Sequence, residues 1–191
     1  MIELMVTVAV AGILLAIAAP AMKTVITGRA VASQASELVA AMHFARAEAM
    51  KRSAPVTICK VTVATPTVCS NSGSTTWQNW MIFSENSGTG TGNTIGVHDG
   101  SEPILRQQYQ TPTTLVSWQA ASPALLNYVA FQATGIAVPN VSNAGAATSV
   151  RFLINPVMSG AGTTTFKRYA RQVCLNAQGR ADVIDGNATC P

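Results

Sequence analysis

Two groups of side chains in this 191-residue chain have types and spacings that could support chemistry. The first is four cysteines in two close pairs, Cys59 with Cys69 and Cys174 with Cys190. Neither pair has the C-x-x-C spacing of a redox or zinc site and no histidine lies within a few residues, so disulfides are expected rather than a metal. Three connectivities are open; the local one, 59 with 69 and 174 with 190, ties a single loop with each bond and is favoured. Such bonds belong to an oxidising compartment, a periplasm or a cell surface. The second group is basic: Arg151, Lys167, Arg168, Arg171 and Arg180, with no acidic residue from Arg151 to Arg180. Cations so placed can follow phosphates with an affinity that falls steeply in salt. The plainer alternative is a solvated strand face.

No catalytic constellation assembles from the rest. His43 lies within a helical pattern and His98 in "GVHDG", a turn; each reads as a structural or surface residue. The run "SGTGTGN" fits neither the P-loop nor the dinucleotide pattern, and it lacks the acidic ligands of a calcium loop. Trp77, Trp80 and Phe83 are spaced at three, but they follow a Gly/Ser stretch and read as the start of a core strand rather than a binding platform. No enzyme activity, cofactor or metal is expected.

The elements that must position these residues begin with a long helix. From Leu4 to Met22 there is no charged residue and one hydroxyl, Thr7. A helix of that length covers roughly 28 Å, close to the hydrocarbon thickness of a bilayer. Residues 1–22 therefore read as a transmembrane half, with a cleaved export signal as the competing interpretation, since small residues such as Ala18 and Ala19 follow the apolar core. Glu3 is out of place in such a segment. Beyond it Val31, Ala35, Leu38, Met42, Ala45 and Ala49 recur at spacings of four and three, drawing one apolar stripe, while Arg29, Gln34, Glu37, Glu48 and Arg52 lie off it. Residues 23–52 are thus an amphipathic half of the same helix, bent or loosened at Pro20 and ended near Arg52 by "RSAPV".

Residues 53–191 read as a β-rich, disulfide-containing domain. "PVTICKVTV" alternates as a strand, and "TVC", "WMIFS", "ILRQQYQ", "TLVSW", "NYVAFQ", "SVRFLI", "KRYARQVCL" and "RADVID" are further short candidates. "SENSGTGTGN" and "VPNVSNAGAAT" read as loops. The fold class is α+β, a long N-terminal helix packed on a mainly antiparallel β domain. With 48% hydrophobic and only 10% charged residues, the surface suits burial in an assembly. Of 12 basic and 8 acidic residues only Glu3 precedes Met22, which leaves 12 against 7 and a net charge of +5 beyond it; that permits an anionic partner without requiring one.

The chain resembles the type IV pilin superfamily, and within it the GspH/FimT family of minor pilins and pseudopilins. The resemblance rests on "IELMVTVAVAGILLAIAAP", "LVAAMHFARAEAMKRSAPVTIC", "WMIFSEN", "EPILR", "FQATG" and "VCLNAQGRADV". It implies that Glu3 serves assembly, pairing with the terminal amine of a neighbouring subunit. A carboxylate within a membrane costs roughly 2.5–3.5 kcal/mol on insertion scales, which a positive partner relieves. It implies that Pro20 bends the helix, that a leader is removed and the new terminus N-methylated, and that the subunit waits in the inner membrane with a periplasmic domain before joining other pilins. Orientation comes from the resemblance, since Lys23 alone would argue weakly the other way. Three roles follow: a structural or initiating minor pilin, a DNA-binding minor pilin for natural transformation, or a minor pseudopilin of type II secretion. DNA readers of the family carry a G-R-x-R motif near the C-terminus. Gly179 and Arg180 match it, but Asp182 stands at the second arginine position, leaving Lys167, Arg168, Arg171 and Arg180 as the candidate DNA contacts.

Overall fold

A computed structural model describes residues 2–62, 65, 67–70, 77–86, 95–109, 116–122, 126–141, 149–157 and 168–190, without the side chains of 15, 17–21, 117–122 and 141. One helix, α1 (Ile2–Arg52), is followed by nine strands: β1 (Val56–Lys60), β2 (Trp80–Ser84), β3 (Ile104–Gln108), β4 (Val116–Ser122), β5 (Leu126–Phe131), β6 (Ala137–Val141), β7 (Ser149–Pro156), β8 (Arg171–Asn176) and β9 (Ala181–Asp185). They form two antiparallel sheets, β3-β2-β1-β5-β6 and β4-β7-β8-β9. The α+β class expected from the sequence is the class observed.

The C-terminal half of α1 packs against both sheets, chiefly β1 of the first and β7, β8 and β9 of the second. Its stripe Val31, Ala35, Leu38, Met42, Ala45 and Ala49 is fully buried, together with Ala41. Gln34, read as lying off the stripe, is 7% exposed and belongs to the covered face. Four of these residues being alanine, the helix can approach the sheets closely, and larger strand side chains such as Phe131, Phe152 and Ile58 fill the space. The helix ends where Ser53 takes a left-handed φ of 53° and Ala54 N–H donates to Ala49 carbonyl at 3.3 Å. That is the bond of a Schellman cap, with Pro55 beyond it preventing continuation.

Two strand expectations need correction. "VPNV" is not wholly loop: β6 pairs with β5, with Pro139 opposite Val129. The proline is tolerated because β6 is an edge strand, where its missing N–H can face away from the ladder. β1 does not show alternating exposure; all five residues are buried. Val56 and Ile58 join the main core under α1, while Cys59 and neighbouring Val61 join Met81 and Phe83 in a second cluster on the outer face. "TVC" contributes only a bridge, Val61 to Cys69.

Candidate functional site

The first polar side chain of α1 covered by the domain is Thr27, 3% exposed. From Ile2 to Ile26 the helix therefore projects by roughly 37 Å at 1.5 Å per residue. Along it Ile2, Leu4, Met5, Val6, Val8, Val10, Ile13, Leu14, Met22, Val25 and Ile26 are all exposed, from 80% at Ile2 to 48% at Val25. Two threonine hydroxyls return to their own helix: Thr7 Oγ1 donates to the Leu4 carbonyl and Thr27 Oγ1 to that of Lys23, each at 2.9 Å. Glu3 sits in the first turn, where the unpaired N–H groups of the helix favour a carboxylate. The helix runs unbroken through Pro20. Among the described residues no helix is long and apolar enough to cross a membrane; positions 15 and 17–21 fall inside the stretch read as spanning and their side chains are not described.

The basic stretch is arranged differently from its appearance in sequence. β9 returns antiparallel beside β8, setting Asp185 opposite Arg171 and Asp182 opposite Cys174. Arg171 Nη1 lies 3.1 Å from Asp185 Oδ1 and also donates to the carbonyls of Ala170 (2.9 Å) and Arg168 (3.3 Å). Arg180 Nε lies 3.0 Å from Asp182 Oδ2. Exposed pairs of this kind contribute at most about 1 kcal/mol to stability, but they offset the positive potential that a phosphate would meet. Arg151 and Arg168 are exposed; Lys167 lies outside the described residues.

Both expected disulfides are present, Cys59–Cys69 and Cys174–Cys190, each with 5.6 Å between Cα atoms. The first ties the segment after β1 to the outer cluster; the second pins the C-terminus to β8. His43 is exposed on α1. His98 meets Phe83 edge-on at 5.2 Å, its Nε2 lying 3.0 Å from the Glu102 carbonyl. Among the described residues no three His, Cys, Asp or Glu side chains are grouped as a metal site would need. Trp77 and Trp80 are core residues, the former edge-on to Phe152 at 5.0 Å.

Sequence reasoning passed over two buried acids. Glu85, just past β2, and Glu102 are each 4% exposed. Burial pushes Glu85 up to about 7, against the lowering effect of hydrogen bonds from Thr57 and Gly96, and Glu102 adds to the rise. An acid following the wholly apolar run "WMIF" was the available signal. Beside them an open groove of about 540 Å³ is lined by Val68, His98, Asp99 and Glu102 among others. Lys60 is also buried, and desolvation pushes its ammonium below the ordinary lysine range.

Residues 34–179 match the family described as type II transport protein GspH. No curated protein matches the chain. Two crystal forms of the type IV minor pilin FimU from Pseudomonas aeruginosa strain PAO1 are similar in structure. The form in space group P21 is 16% identical with a TM-score of 0.51, and the match covers 84% of this chain and 92% of that one. The form in P65 is 18% identical with a TM-score of 0.46, covering 82% and 94%. At this identity the P21 likeness concerns the fold, a long helix carried on antiparallel sheets.

Proposed function

This chain belongs to the GspH family, and from that premise we propose that it is a non-enzymatic minor pilin, a structural or initiating subunit that enters a filament through its N-terminal helix. The observation that carries the reading is the projecting half of α1, whose apolar side chains stand uncovered with Glu3 at its tip. Uncovered apolar surface of this extent calls for a lipid or protein environment. We read the bilayer as the first environment and neighbouring pilin helices as the second, with Glu3 pairing to a neighbour's terminal amine and Pro20 easing the helix into the packed spine. The two disulfides support a periplasmic and then extracellular location for the domain.

The test is incorporation. Glu3→Ala and Glu3→Lys are expected to abolish recovery of the protein in sheared filaments while the folded domain persists in the membrane fraction. Normal incorporation of both variants would sink the pairing role.

A minor pseudopilin of type II secretion is the second reading, favoured by the family description itself. Co-fractionation with pili or with secretion pseudopili separates the two. DNA capture through the basic strand has less support, because Arg171 and Arg180 are engaged by Asp185 and Asp182.

A further inference from the structure

Glu85 and Glu102 are buried without a cation: no ion pair among the described residues involves either carboxylate. Glu85 Oε1 accepts two hydrogen bonds, from Thr57 Oγ1 on β1 at 2.5 Å and from Gly96 N–H at 2.8 Å. Glu102 Oε1 accepts from Asn86 N–H at 3.2 Å and its Oε2 from Asp99 N–H at 3.3 Å. One oxygen remains, Glu85 Oε2, buried and without a hydrogen-bond partner. The Glu102 carboxyl also lies within hydrogen-bonding reach of Glu85, and two ionised carboxylates can only accept and repel. A proton on Oε2 converts the orphan acceptor into a donor toward Glu102.

We propose that Glu85 holds this proton and that the protonated pair latches the segment from Ile95 to Glu102 over the outer face of the first sheet, so that the latch loosens when the proton leaves.

The segment is built to close there. Gly96 has a φ of +87°, and a Cβ on it would stand 2.0 Å from the Tyr128 ring, so only glycine brings the Gly96 N–H to Glu85. Beneath lie Cys59, Val61, Met81 and Phe83, with His98 against Phe83. The groups facing Glu85 are Thr57 from β1, Tyr128 from β5, and Gly96 and Glu102 from the latched segment itself, while His98 and Asp99 bond Glu102. Of these groups Glu102 favours the neutral form of Glu85, and His98 is turned to the Glu102 main chain. With Glu85 titrating near 7 when closed and near its ordinary 4.5 when open, the closed state binds more protons between those values. Closure is therefore strongest at and below the lower value and weakens as pH rises through the upper one.

Amide hydrogen exchange of the full chain in detergent micelles tests this, followed from pH 4.5 to 8.5 and corrected for intrinsic exchange. Protection of the Gly96 and Asp99 amides is expected to fall about tenfold per pH unit between about 4.5 and 7, then level off. Glu85→Gln keeps the shape of the protonated acid, so its protection should be flat over that range while β1 and β5 behave as in the parent. A flat profile in the parent protein, or a slope retained in E85Q, overturns the proposal. Should E85Q not fold, a carbon-13 glutamate titration of the parent decides: one carboxyl titrating near neutrality supports the latch, and none titrating above about 6 overturns it.

Discussion

A Cβ placed on Gly179 would stand 2.3 Å from the carbonyl oxygen of Gly135, so the turns after β5 and β8 meet backbone to backbone. Both glycines have left-handed φ, +80° at Gly135 and +75° at Gly179, and both lie against the Arg46 side chain of α1. Ala137 N–H donates to the Ala177 carbonyl at 3.0 Å, joining the two sheets at this point. Gly179→Ala adds left-handed strain and a backbone collision together. A loss of about 2–4 kcal/mol is expected in denaturant unfolding. A change under about 0.5 kcal/mol would mean that the junction yields freely.

"FQATG" and "VCLNAQGR" were legible as blocks of a family resemblance, yet nothing local to either shows that their glycines touch. Their contact depends on how two sheets fold around one helix, which is a non-local property. The helix itself was readable to its end because a stripe of period 3.6 needs only local spacing. β6 was missed because Pro139 is a breaker in sequence terms and harmless only on an edge, and edges are set by sheet order. The basic stretch misled for the same reason: the acids that answer it lie on the next strand, beyond the window in which it looked uncompensated.

Asp182 decides how much of the basic strand a polyanion can use. Arg180 is held by it at 3.0 Å, so Asp182→Arg both releases Arg180 and adds a charge. Binding of a DNA duplex to D182R should become tighter than in the parent, and the slope of log affinity against log salt should steepen by about 1–2, near 0.9 for each added phosphate contact. Identical slopes would show that this strand does not track phosphates even when freed.

Ser53 carries a left-handed φ of 53° at the position after the helix end, where glycine is usual. Ser53→Gly should relieve about 1–2 kcal/mol of strain against about 0.4–1 kcal/mol lost to the freer unfolded chain, raising stability by about 0.5–1 kcal/mol without altering the fold. Thermal unfolding of the two proteins side by side checks the sign. A lower melting temperature for S53G would show that the serine hydroxyl contributes more than its backbone costs.

Cys174–Cys190 closes a loop spanning 16 positions and is the covalent tie between the C-terminus and β8. Chain-entropy estimates give about 3 kcal/mol for a loop near that size. Replacing both cysteines by serine should lower unfolding free energy by that order and expose the residues after β9 to proteolysis first. Equal stability with and without the bond would place its role elsewhere than in the folded domain.

The two halves of α1 should respond to mutation in opposite ways. Ala45 is fully buried among alanines that let the helix approach the sheets, so Ala45→Leu forces extra carbons into filled space and should cost about 1–3 kcal/mol of domain stability. Leu4 is 69% exposed on the projecting half; Leu4→Ala removes nothing from the core and should leave domain unfolding within about 0.5 kcal/mol of the parent. Filament recovery separates the assembly role from mere exposure, because L4A should reduce it while the domain melts normally. If L4A assembles as the parent does, the apolar side chain at that position contributes nothing to helix packing in the filament.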